Sequence, residues 1–221
     1  YCDCFHGHQG RRCERATPDP SLRAAIVYML YGEQRYFDTF VHTLQHLYVH
    51  FTSQYPYPVV ILHSPNYAEP APDGLGSWLD ALRESYPGEL RFIDIGGLMT
   101  YPPEWSETYT ADPPTGLPCR ATWPNYLHML RFFSYTMFTM PFMQDYDYVW
   151  RMDGDLWLIN PPPCDIFQTI VASRALFGYF MYEEGMVPEY CLGDSRQIVE
   201  AYAHNHSFTP SWLPRLKRGA E

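Results

Sequence analysis

The chain has 221 residues, 46% of them hydrophobic and 17% aromatic, enough for one sizeable core with an appendage. Acidic residues outnumber basic ones 25 to 15, a balance that excludes a nucleic-acid-binding surface. No apolar run reaches the roughly 18 residues that a membrane-spanning helix needs, and Lys217 is the sole lysine, so positive charge rests on arginines, which suit two-point contacts with phosphate or carboxylate.

Residues 1–15, YCDCFHGHQGRRCER, set Cys2, Cys4 and Cys13 with Gly7 and Gly10 in a C-x-C-x-x-G-x-x-G-x-x-C pattern. This stretch resembles the end of an EGF-like module. The resemblance implies a Cys4–Cys13 disulfide, a partner for Cys2 upstream and an oxidising compartment. His6 and His8 would also suit a zinc knuckle, but the glycine spacing favours the disulfide-held hairpin. The module is entered partway through, so the chain reads as a piece of a longer one. Residues 16–21, with Pro18 and Pro20, form a linker.

The domain reading then covers 22–221. Ala24–Leu30 is a wholly apolar run bounded by Gly32 and predicts a buried strand. Phe37, Phe40, Val41, Leu44, Leu47, Tyr48 and Phe51 recur at helical spacing, and Pro56 and Pro58 end that helix. Val59–His63 is a second buried strand. Ser77 to Asp80 opens a helix with a capping-box pattern that carries Trp78, Leu82 and Tyr86 inward. Leu90–Ile95 is a third strand, ended by Gly96 and Gly97. Strand–helix alternation of this kind predicts a parallel sheet with crossover helices. Ligands of such sheets bind beyond the carboxyl ends of the strands, which places Tyr31-Gly32, His63-Ser64 and Asp94 at one edge.

His42, His46 and His50 recur every four residues beside the apolar stripe, with no acidic partner spaced to complete a metal site; a solvated or half-buried helix face is expected. Residues 101–119 read as an ordered loop, since Trp105 and Tyr109 offer groups to bury. Pro124 suits the start of an aromatic helix, which Pro141 closes. Tyr148–Met152 is the fourth strand and runs into Asp153-Gly154-Asp155. Two carboxylates one residue apart at a strand end can hold a divalent cation against a diphosphate, and oxygen ligands suit Mn²⁺ or Mg²⁺. Gly154 between them would let the backbone turn and a phosphate come close. An Asp-Gly pair between apolar runs is equally a hairpin-turn signal. Asp165–Arg174 reads as a short helix, Ala175–Phe180 as a further strand and Ser195–His204 as a last helix. Glu183 and Glu184 follow that strand and read as a solvated acidic turn.

From Tyr126 to Phe180 the chain resembles glycosyltransferase family 15, the fungal-type α-1,2-mannosyltransferases. The family's Tyr-Arg-x-Met-Cys-Arg-Phe segment stands here as Tyr126-Leu127-His128-Met129-Leu130-Arg131-Phe132. Its Tyr-Asp-Tyr-Tyr-Trp-Arg-Val-Glu-Pro stands as Tyr146-Asp147-Tyr148-Val149-Trp150-Arg151-Met152-Asp153-Gly154, at matching separation. Its Cys-Asp-Ile appears as Cys164-Asp165-Ile166. The chain also departs from the family. Asp153-Gly154 replaces Glu-Pro, about four extra residues precede Cys164, and Leu130 replaces a cysteine. The family's downstream Gly-Gly-Phe and Glu-Arg-Trp-Gly-Asp segment, which carries a metal-binding histidine and a candidate nucleophile, has no counterpart in the sequence.

The resemblance implies an α/β fold of the GT-A type, GDP-mannose as donor, a mannosyl glycan on protein or lipid as acceptor, and retention of configuration. The carboxylate pair itself gives Asp153 as the expected metal ligand, with Asp155 as second ligand or ribose contact. Arg151 and Arg131 either face the diphosphate or lock Asp153 in place. Tyr126 matches a donor-site tyrosine, though a core aromatic fits it as well. With no nucleophile to assign, the chain is not expected to turn over substrate by itself. A secreted carbohydrate-binding or adhesion protein, and a UDP-sugar transferase of the same fold, are the competing readings. The expected setting is the secretory pathway, either the Golgi lumen with a membrane anchor upstream or the extracellular space. Asn205-His206-Ser207 is then an N-glycosylation sequon.

Overall fold

The computed structural model describes residues 21–32, 34–71, 76–100, 125–178 and 195–207. Cys4 and Cys13, the loop at 101–119, and Glu183 and Glu184 lie outside the described residues. Two compact units divide the chain: Tyr1–Thr110 with Pro124–Gly178, and Ala111–Trp123 with Tyr179–Glu221.

In the first unit, β1 (Ala24–Leu30), β2 (Val59–His63), β3 (Leu90–Asp94) and β4 (Tyr148–Met152) form one parallel sheet ordered β3-β2-β1-β4. Register runs Leu30↔His63↔Asp94 on one side and Tyr28↔Met152 on the other. The apolar runs become central strands because helices cover both faces, so neither side of β1 or β2 needs polar residues. One face carries Ile26, Tyr28, Leu30, Val59, Ile61 and Met152. Against it pack α1 (Phe37–Leu47), which runs on into a wider π-type turn at Tyr48–Thr52, together with α2 (Trp78–Ser85). The opposite face carries Ala25, Val27, Val60 and Leu62. It is covered from α3 (Asn125–Arg131), a second wide turn (Phe132–Thr136), the short α4 (Met137–Thr139) and the turn Pro141–Asp145.

The local signals act as their chemistry requires. Ser77 Oγ accepts from Asp80 N at 3.2 Å and Ser77 N donates to Asp80 Oδ2 at 3.0 Å, closing the capping box of α2. Leu82 and Tyr86 are buried, and Trp78 packs edge-on to Phe37 at 4.6 Å. Helix α5 (Ile166–Ala172) starts on Asp165, whose Oδ1 accepts from Phe167 N (3.0 Å) and Gln168 N (3.3 Å) while Oδ2 accepts from Tyr57 Oη (2.8 Å). Burial of this cap raises the Asp165 carboxyl pKa despite those donors.

Two expectations are corrected. Asp153-Gly154 forms no hairpin, since every pairing in the sheet is parallel. The strand expected at 175–180 does not form over its described part, residues 175–178. Arg174 turns the chain with φ 53°, and Leu176 and Phe177 then stand 98% and 79% exposed; an apolar run becomes a strand only where an edge receives it.

In the second unit, the described residues form α6 (Ser195–Asn205). Ala203 is buried, Asn205 is exposed at the helix end, and Ser207 takes a left-handed φ of 54°.

Candidate functional site

Strand order places the site. The chain builds β1, β2 and β3 outward in one direction, then returns to set β4 on the other side of β1. Between the carboxyl ends of β1 and β4 the crossovers therefore diverge, and that divergence is where open parallel sheets form a ligand crevice. Asp153 leaves β4 at this point, one residue beyond Met152, which pairs with Tyr28.

Alternation along β4 puts Arg151 and Asp153 on the same face. Arg151 Nη2 donates to Asp153 Oδ1 in a short ion pair, and its guanidinium lies 4.5 Å over the Phe133 ring. Arg151 thus holds Asp153, while Asp153 remains 53% exposed and open to a further partner. Arg131, the other arginine expected near the carboxylate, instead donates from Nη1 to Thr100 O at 3.2 Å, tying α3 to the segment beyond β3. Tyr126 stands in the first turn of α3; its side chain is outside the described residues. His128, two residues on, is depressed in pKa by burial and then by Arg131.

Gly154 falls on the other face, against α1. A Cβ there would meet Phe40 Cδ2 at 3.2 Å and Met29 O at 3.5 Å. Its smallness therefore serves packing against Phe40, and Gly154 is not among the glycines with positive φ. Two side chains of α1 fix the turn that follows. Thr43 Oγ1 donates to Gly154 O at 3.0 Å, and His46 Nδ1 lies 3.0 Å from Leu158 O. Thr43 is fully buried. Sequence reasoning passed over it, although a hydroxyl on the apolar stripe between Phe40 and Leu44 is itself a signal, because a buried hydroxyl must find a partner. Leu156 N donates to Asp153 O at 3.1 Å and closes the turn, which leaves Asp155 exposed and without an ion-pair partner among the described residues.

Across the crevice, Gly32 has φ +93°, and a Cβ placed on it would meet nothing within 4 Å. Asn66 Nδ2 donates to Gly32 O at 3.1 Å, and Ser64 Oγ donates to Asn66 Oδ1, so the loops after β1 and β2 are joined. Asn66 was not foreseen. His63 is buried, with Nδ1 3.0 Å from Ser64 O. Asp94 ends β3 and accepts from Gly96 N at 2.8 Å. Its strand is three positions from β4, about 14 Å at the usual strand spacing, so Asp94 and Asp153 do not share one ion.

A divalent cation can be tested against this donor set. Asp153 and Asp155 offer hard oxygen ligands of the kind Mn²⁺ and Mg²⁺ prefer. Among the described residues no group of three His, Cys, Asp or Glu converges. The pair fits an ion that completes its shell with phosphate oxygens and water.

The fold and this edge define a doubly covered α/β domain that presents a carboxylate turn and an open glycine at its topological switch point. The chain belongs to the glycolipid 2-alpha-mannosyltransferase family, whose model matches residues 11–188. Solved structures share the fold. Core-mannan synthase A (CmsA/Ktr4) from Aspergillus fumigatus, in its Mn/GDP form, is 14% identical with a TM-score of 0.56, over 89% of this chain and 51% of that one. The mannosyltransferase Ktr4p from S. cerevisiae in complex with GDP is 18% identical with a TM-score of 0.58, over 85% and 48%. A further Ktr4p structure from S. cerevisiae is 17% identical with a TM-score of 0.54, over 85% and 47%. The chain thus spans about half the length of these proteins. No curated protein sequence matches it significantly.

Proposed function

We propose that the crevice between β1 and β4 is the donor side of a GT-A-type retaining α-1,2-mannosyltransferase that takes GDP-mannose and passes mannose to a mannosyl glycan on protein or lipid. One observation carries the reading: the Asp153 turn, anchored by Arg151, Thr43 and His46, leaves β4 beside the end of β1, which runs into the open Gly32, at the switch point of the sheet. Support also comes from the family match and from the Mn/GDP and GDP complexes of the structural neighbours.

In this reading Asp153 and Asp155 hold Mn²⁺ or Mg²⁺, and the ion, when bound, neutralises charge that develops on the leaving diphosphate. Arg151 fixes the Asp153 carboxylate before the donor arrives, which spares reorganisation during the reaction. Gly32 leaves room for the nucleotide to approach the backbone. In this reading Arg131 and Tyr126, both carried on α3, also belong to the donor side. The Cys4–Cys13 disulfide of an EGF-like ending, glycosylation at Asn205, and residence in the Golgi lumen or outside the cell complete the proposal.

Thermal denaturation with added ligands tests it. GDP with Mn²⁺ should raise the midpoint of the wild-type chain and leave Asp153→Asn unmoved. A shift with UDP in place of GDP would reassign the donor base. A shift with free mannosyl glycan alone would favour a carbohydrate-binding role.

A further inference from the structure

We propose a second metal site, of different chemistry, on α1: a two-imidazole clamp formed by His42 and His46 that takes a borderline transition-metal ion such as Zn²⁺, Cu²⁺ or Ni²⁺. Histidines four residues apart lie one turn above another on a single helix face, the spacing that lets two imidazoles share one ion. Here the two rings are 4.3 Å apart between centroids and inclined at 57°. His50 continues the sequence spacing but not the geometry, since it falls in the wider turn at Tyr48–Thr52 and its ring is 5.5 Å from that of His46.

His46 is held as a metal-binding histidine usually is. Its Nδ1 lies 3.0 Å from the carbonyl of Leu158, an atom that can only accept. Nδ1 therefore carries a proton in this contact, and in the neutral imidazole the lone pair is on Nε2, the tautomer in which an imidazole ligates. His42 is exposed, so an ion reaches the pair from solvent. With no third His, Cys, Asp or Glu converging among the described residues, water fills the remaining positions. Imidazole nitrogen selects Zn²⁺, Cu²⁺ and Ni²⁺, whereas the carboxylates of Asp153 and Asp155 select Mn²⁺ and Mg²⁺.

The clamp also touches the chain just beyond that carboxylate pair. Trp157 packs against His42 at 5.4 Å and His46 at 6.4 Å between ring centroids. An ion on the two imidazoles therefore immobilises the segment at Trp157 and Leu158, and Trp157 reports its arrival.

Calorimetric titration of the full chain with Cu²⁺, repeated while following tryptophan emission, tests the site. Wild type should bind with quenching, and Trp157→Phe should keep the binding heat while losing much of the quench. His42→Gln and His46→Gln should each weaken binding about tenfold or more, the range seen when a metal site loses a supporting group. His50→Gln should leave affinity unchanged, and excess Mn²⁺ should not displace Cu²⁺. His42→Gln is exposed and leaves the Leu158 bond intact, so its effect does not depend on folding. Undiminished Cu²⁺ affinity in His42→Gln, or equal loss in His50→Gln, would overturn the proposal.

Discussion

The two ends of the sheet are built from the same strands but treat charge in opposite ways. At the amino end, Arg23 grips Asp147 at 2.6 and 3.2 Å, joining the starts of β1 and β4. Arg91 pairs with Glu89 at 2.8 Å and approaches Asp145 at 3.8 Å. At the carboxyl end only Asp153 has an arginine, while Asp94 and Asp155 have no ion-pair partner among the described residues. Buried contacts from α1 hold the carboxyl-end turn instead. Exposed ion pairs contribute little to stability, so the difference concerns what each end is for. One end is closed upon itself, and the other keeps carboxylates available.

The strongest way to break the carboxyl end is to remove its floor. Phe40→Ala empties the site between the Tyr28 ring, 5.5 Å away, and Gly154. It should cost about 3–5 kcal/mol in chemical denaturation. Thr43→Val keeps the shape but leaves the Gly154 carbonyl without its donor. It should cost about 1–3 kcal/mol and also reduce the response to GDP and Mn²⁺, whereas Thr43→Ser should restore both. An effect on stability without one on ligand response would confine Thr43 to packing.

Asp165→Ala removes the α5 cap and orphans Tyr57 Oη, and should cost about 1–2 kcal/mol. Because burial raises the folded pKa of Asp165, its titration contributes stability at low pH that is lost as pH rises through that value. The stability of wild type relative to Asp165→Asn should accordingly decline from acid toward neutral pH. The smallest effect belongs to the amino end. Arg23 holds the Asp147 carboxyl below its ordinary pKa, chiefly through their hydrogen bond. That contribution is present above the ordinary carboxylate range and fades as pH falls through the depressed value. Arg23→Gln should therefore change only the acid limb of a stability profile, and only slightly.

The sheet was legible because β1 and β2 are apolar on both faces and α1 shows a clear stripe; burial on two sides leaves little ambiguity in such runs. The described residues 175–178 misled for the same reason, since AlaLeuPhe has the composition of a strand and nothing local records that no edge receives it. The placement of Asp153 followed from its position after an apolar strand. What fixes that position was not legible. Thr43 and His46 lie 111 and 112 residues from the carbonyls they meet, and local pattern carries no information on such pairings. Nor did the sequence distinguish the two arginines: strand alternation gives Arg151 to Asp153, and α3 carries Arg131 to Thr100.

The central claim is that Asp153 and Asp155 present one divalent ion to a nucleoside diphosphate beside Gly32. Anomalous diffraction from crystals of the full chain grown with Mn²⁺ and GDP tests it most directly. The account predicts a manganese peak in contact with Asp153, with the diphosphate spanning from it toward the end of β1. A peak confined to the amino end of the sheet, or GDP bound away from the crevice between β1 and β4, would contradict it.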